Sequence, residues 1–276
     1  MLSKAILSNK GRITRDIVIK AILEWSDIPK YFNRFAGPTT RSAIEMYKNP
    51  GMEMKPLPGA VAVDYASKAT NGAAMKIAPA GILHPGNLEA AIDDAIVIAQ
   101  VTHDNSLAIS GACAIAAATS ASLAEKATIE EVISAGVYGA IRGETKAKSV
   151  SRVVAGASVV ERIKLALQIA EGAGSKEEKL LKLSQIIGSG LHISEAVPCA
   201  FGIAALNKDS ALQAVIDAVN IGYDTDTIAT IVGTMVGAFV DFEDKNFLDL
   251  YDKVQKANEI NLIILADELA TAAKVG

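Results

Sequence analysis

Residues 105–124 read NSLAISGACAIAAATSASLA, twenty positions without a charge. That length would cross a bilayer, but a spanning helix is built mainly from Leu, Ile, Phe and Val. Here Ser, Thr, Asn and Ala dominate, so the stretch reads as a helix buried on all sides within a protein that does not enter a membrane. The whole chain shares this character. Its 276 residues are 50% hydrophobic but only 5% aromatic, and about one in six is alanine. Alanine has the highest helix propensity and a minimal side chain, so this composition predicts an all-α protein whose helix backbones approach closely.

Helix punctuation recurs on both sides of the central stretch. Thr14 precedes RDIVIKAILEW, and Thr39 and Thr40 open RSAIEMY, which Pro50 and Gly51 close. Thr128-x-x-Glu131 and Ser175-x-x-Glu178 have capping-box spacing, in which hydroxyl and carboxylate each satisfy an orphan backbone donor. Gly172 and Gly174 mark the end of ERIKLALQIAE. The pattern predicts a bundle of about a dozen helices forming one domain over residues 1–276. Residues 49–70, with three prolines and two glycines, form the longest irregular stretch. Such a loop in a compact domain is commonly functional or disordered.

Charge and cysteine usage exclude several functions. With 27 basic and 31 acidic residues the net charge is near −4, which disfavours a nucleic-acid binder working by phosphate neutralisation. Cys113 and Cys199 show neither CxxC nor Cys/His spacing, so neither a zinc site nor a disulfide framework is expected. The first residues, MLSKAILSNKGR, lack the apolar core of a signal peptide, and a cytoplasmic location fits. No Walker loop, GxGxxG or Ser/His/Asp nucleophile pattern is present.

The most informative polar motif is Gly222-Tyr223-Asp224-Thr225-Asp226-Thr227, between the helical stretches SALQAVIDAVNIG and IATIVGTMVGAF. In an extended turn Asp224 and Asp226 point to one side. Two carboxylates that close repel unless a proton or cation lies between them, and hard oxygen donors favour Mg²⁺, Mn²⁺ or Ca²⁺. Thr227 adds a neutral oxygen. The apolar helix that follows places the pair over a core where unpaired charge is costly. The alternative is that one Asp simply caps the next helix.

A second motif is SKATNGAAMK over residues 67–76, a small polar loop entering a helix. Free N–H groups at a helix start attract anions, Gly72 permits close approach, and Lys76 adds a cation. A plain N-cap by Thr70 or Asn71 is the alternative. Pro79 is expected to kink or end the helix that follows. His103 sits at the junction between NLEAAIDDAIVIAQV and the central helix, where the helix dipole alone can account for it. His84 reads as a loop histidine and His192 as a structural residue preceding a cap at Ser194.

Taken together these pieces resemble the ADP-ribosylglycohydrolase family, also called crystallin J1-like or dinitrogenase-reductase-activating glycohydrolase. The resemblance rests on TNGAAMKIAPAGIL (residues 70–83), THDNSLAISGACAIAAA (102–118), SEAVPCAFGIA (194–204) and GYDTDTIATIVGTMVGA (222–238), in the family's order. It implies an orthogonal all-α bundle with a dimetal Mg²⁺ centre in a cleft, with Mn²⁺ as a substitute. Carried over by residue, it makes Asp224, Asp226 and Thr227 metal ligands, with Asp226 bridging and catalytic. It also makes Ser67, Thr70, Asn71 and Gly72 part of the cradle for a diphosphate-ribose, with His103 beside the substrate.

Members of that family begin with a GDALGxPxE-like segment and a (T)DDT motif. Here neither is found, and residues 1–7 are similar to the helix that follows DDT. The resemblance then leaves three protein ligands, as in a chain shortened at its start or a degenerate relative. The implied activity is Mg²⁺-dependent hydrolysis of the glycosidic bond at the ribose of an ADP-ribosylated protein or small molecule. The alternatives are hydrolysis of a nucleoside-type substrate and a non-catalytic, ligand-binding or crystallin-like role.

Overall fold

A computed structural model describes residues 1–56 and 60–273. Positions 57–59, within the long irregular stretch, and 274–276 lie outside the described residues. The described chain is all-α, as expected, with fifteen α-helices and no β-sheet. They are α1 Leu2–Ser8, α2 Arg15–Ser26, α3 Pro29–Phe35, α4 Pro38–Lys48, α5 Ala78–Ile82, α6 Leu88–Gln100, α7 Ser106–Ser122 and α8 Ile129–Val150. After these come α9 Val159–Glu171, α10 Lys176–Lys182, α11 Ile193–Leu206, α12 Ala211–Asn220, α13 Thr225–Val236, α14 Lys245–Asn258 and α15 Leu262–Ala273. No helix among the described residues is long and apolar enough to cross a membrane.

Helix α7 is the axis of the fold, with every residue but Ala121 buried. The Asn105 carboxamide caps its start by accepting from the Ala108 N–H at 2.9 Å. A Cβ on Gly139 of α8 would lie 2.4 Å from the Cys113 carbonyl oxygen, and one on Gly143 would lie 2.6 Å from the Cys113 Cβ. Both therefore need glycine, which is how the small-residue composition becomes close backbone approach. Gly81 of α5 meets Thr119 and the Ala116 carbonyl of α7 in the same way. Helices α6 and α11 also pack on α7, and α13 closes the core with Ile228, Ile231, Val232 and Met235. Burial pushes the Cys113 thiol upward and that of Cys199 up to about 12, so both are small apolar core residues, unpaired and inert.

Both capping boxes form, at Thr128/Glu131 and Ser175/Glu178, and the Thr14 side chain caps α2. Three local expectations are corrected. Helix α4 starts from Gly37 with Pro38 at its first position, so Thr39 and Thr40 lie inside its first turn. Pro79 opens the five-residue α5, where a missing N–H costs nothing, and neither kinks nor ends a longer helix. His192 is itself the cap of α11, its Nδ1 accepting from the Ser194 N–H, whereas Ser194 donates its hydroxyl to the Ala157 carbonyl.

Candidate functional site

The segment 69–73 joins the polar motifs in space. It is pinned by an antiparallel bridge between Thr70 and His192, with the Asn71 N–H donating to the Leu191 carbonyl at 2.8 Å and the Ile193 N–H to the Ala69 carbonyl at 2.8 Å. Held this way, consecutive residues face different partners. Thr70 Oγ1 is 2.8 Å from His103 Nε2, and the Asn71 amide donates to Asp224 Oδ2 at 2.6 Å and to the Gly190 carbonyl at 3.2 Å. Gly72 lies flat against the imidazole, where a Cβ would be 3.1 Å from both Cε1 and Nε2. The loop therefore stands between an acidic centre at the start of α13 and a histidine centre at the start of α7.

At the acidic centre, Asp224 occupies the N-cap position of α13, yet its carboxylate makes no capping bond and turns to Asn71 instead. The junction is not an extended turn. Tyr223 has φ 61°, a left-handed conformation costly for a residue with a Cβ, and Asp226 follows in the first helical turn. Burial raises the Asp224 carboxyl above its usual range, opposed by the Asn71 amide, while neighbouring Asp226 raises it further and Thr227 lowers it. Thr227 is buried, but Asp226 is exposed, so the argument that both carboxylates lie over the core fails for Asp226.

The donor set of this centre is hard and oxygen-based: two carboxylates and one hydroxyl. Among the described residues no group of three or more His, Cys, Asp and Glu side chains is arranged to hold a metal ion. One or two carboxylates plus waters are enough to hold a hydrated hard divalent cation, so this donor set fits one.

The histidine centre is buried, and its imidazole is neutral. His103 is 1% exposed, and burial, with the nearby Lys76 ammonium, holds its imidazole well below the usual histidine range. Its Nδ1 lies 2.7 Å from Thr102 Oγ1. Lys76 donates to that hydroxyl at 2.9 Å and to the Gly72 carbonyl at 2.8 Å, and burial lowers it to about 7. Thr39 and His103 also line a cleft of about 590 Å³ that carries Arg15, Lys68 and Arg152, with Glu53 and Asp104 opposite in charge. Arg152 stacks on the Tyr65 ring at 3.6 Å.

The N-terminal helix expected of the 67–76 loop is only a three-residue 3₁₀ turn, Asn71–Ala73. The N–H groups of Ser67, Lys68, Ala69, Asn71, Ala73, Ala74 and Met75 donate within the protein, which narrows the anion nest pictured from the sequence to the N–H groups of Thr70 and Gly72. Ser67 faces away from both centres: its N–H and hydroxyl bond to Asp64. Lys76 and Thr102 were not identified as a linked pair from sequence, because they stand 26 positions apart. His84 pairs with Asp94 at 2.7 Å, so it is a tethered residue.

The family model described as ADP-ribosylglycohydrolase matches residues 1–275. The uncharacterized protein YegU of Escherichia coli (strain K12) is 30% identical over 239 residues, covering 86% of this chain and 68% of that protein. An uncharacterized protein of Archaeoglobus fulgidus is 31% identical over 172 residues, covering 61% of this chain and 49% of that protein. The four motifs that meet around the 69–73 loop thus sit within a match running along essentially the whole chain, and the chain belongs to the ADP-ribosylglycohydrolase family.

Proposed function

We propose that this chain is a Mg²⁺-dependent, cytoplasmic hydrolase that cleaves the glycosidic bond at the ribose of an ADP-ribosylated protein or small molecule. The observation that carries the reading is the fan of the 69–73 loop, which sets Asn71 on the Asp224 carboxylate and Thr70 on His103. Asp224, Asp226 and Thr227 would hold the cation, which when bound supplies charge stabilisation and orientation of ribose hydroxyls and water. Asn71 fixes the Asp224 carboxylate. Exposed Asp226 would accept from a ribose hydroxyl or the attacking water while the bond breaks through an oxocarbenium-like state. Thr70, Gly72 and His103 shape the wall beside the ligand, and the basic residues of the adjoining cleft favour its diphosphate. Ser67 contributes to binding only if its turn with Asp64 rearranges.

The test is release of ADP-ribose from ADP-ribosylated arginine and serine peptides and from small conjugates, with and without Mg²⁺. Release that requires Mg²⁺ supports the reading, and no release from any of them contradicts it. A second reading, a non-catalytic ADP-ribose-binding protein, is favoured by the small donor set and predicts stoichiometric binding without turnover.

A further inference from the structure

A chain of side chains runs from Lys76 through Thr102, His103 and Thr70 to Thr39 in the wall of the cleft, with successive contacts of 2.9, 2.7, 2.8 and 3.4 Å. Its direction follows from donor arithmetic. Below about pH 7 Lys76 is an ammonium, which only donates, so the Thr102 oxygen accepts from it. The hydroxyl then has one hydrogen to place in a buried site, and His103 Nδ1 is the acceptor within reach at 2.7 Å. If Nδ1 carried the proton instead, the Thr102 hydrogen would be left without that acceptor, an unfavourable state for a buried donor.

We propose that Lys76 is a positioning residue that fixes neutral His103 as the Nε2–H tautomer. Nε2–H then donates to Thr70, whose hydroxyl points its hydrogen at Thr39, and the Thr39 hydroxyl is left as a donor toward an acceptor oxygen of the ligand in the cleft. On the loop side Gly72 stands beside the imidazole's Cε1–Nε2 edge, close enough that a Cβ there would lie 3.1 Å from both atoms. His103 is accordingly a fixed polar strut, not a proton carrier, and the element that sets its orientation is a lysine that does not touch it. Only the final link, to a ligand, rests on the function proposed above.

The experiment is ¹⁵N–¹H correlation of the histidine rings in the full chain, with His103 assigned by comparison with His103→Asn. The wild type is expected to show a single neutral form with Nδ1 bare and Nε2 protonated. Lys76→Met removes the donor to Thr102, whose oxygen is then open to accept from Nδ1–H, and should add the Nδ1–H form, and Lys76→Arg should restore the single form. Lys76→Gln, which has an acceptor of its own, also allows the chain to reverse and gives the same readout should the methionine variant not fold. An Nδ1–H ring in the wild type, or identical spectra for wild type and both uncharged variants, overturns the proposal. Separately, Thr39→Val should weaken binding of ADP-ribose about threefold to tenfold, the range of one hydrogen bond, without changing the His103 tautomer. Unchanged affinity in a wild type that binds would overturn the last link. Absence of ADP-ribose binding by the wild type would count against the proposed function and leave the tautomer result standing.

Discussion

The two centres joined by the 69–73 loop are built in opposite ways. Around His103 the groups are buried and mutually hydrogen-bonded, and burial favours the uncharged forms of both His103 and Lys76. At the start of α13 two carboxylates stand side by side, one half-buried and one exposed, beside a tyrosine in a left-handed conformation. A network whose hydrogen bonds are all satisfied is a rigid wall. A pair of adjacent carboxylates instead leaves electrostatic repulsion that a cation relieves. Under the proposed function the first centre positions the ligand and the second carries the chemistry.

Substitutions should separate these assignments. Asp224→Asn keeps the shape of the acidic centre and removes one charge, so hydrolysis should fall at least about 100-fold with little change in melting temperature, beyond what loss of a supporting hydrogen bond costs. Calorimetry with Mg²⁺ alone checks it, since wild-type affinity in the variant would move the ion elsewhere. In the histidine centre the dominant effect should be on stability. Gly72→Ala puts a Cβ 3.1 Å from the His103 ring and should destabilise by about 1–3 kcal/mol, read as a denaturant midpoint. Equal midpoints would mean that the imidazole is not held against the loop.

A smaller effect concerns pH. Lys76 binds its proton less tightly folded than unfolded, with about 7 against 10.5. The folded state therefore carries a penalty that is complete below the folded value and fades as pH rises toward the unfolded one. Lys76→Met removes both the penalty and the two hydrogen bonds, so its melting temperature relative to wild type should be higher at about pH 6 than at about pH 10. A difference independent of pH would show that Lys76 stays fully charged. Smallest, Tyr223→Gly relieves the left-handed backbone and should stabilise by about 1 kcal/mol, provided the Tyr223 ring gains nothing from packing on Gly190. Loss of stability would assign the ring a packing role.

Much of the fold was legible because its signals are local. The capping boxes at Thr128 and Ser175 need only a hydroxyl and a carboxylate three positions apart, and the uncharged α7 stretch announces its own burial. The short helices α3 and α5, each with a proline in its opening turn, are too brief to show helical periodicity, and they lift the count from about a dozen to fifteen. In the candidate site the residue types were legible but not their partners. Spacing left Asp224 open between capping and ligation, and only the fold brings Asn71, 153 positions away, to its carboxylate. The anion nest narrows for a related reason: long-range pairing with residues 190–193 and a local turn at Asp64 use most of the N–H groups that the motif offers.

The measurement that bears most directly on the account is ADP-ribose release in Mg²⁺ by the wild type and Asp226→Ala side by side. Asp226 is exposed at the first turn of α13, so its loss should leave folding intact and affect only the chemistry. The account predicts release by the wild type and a fall of at least about 100-fold in a folded variant. Equal rates in the two chains would contradict it.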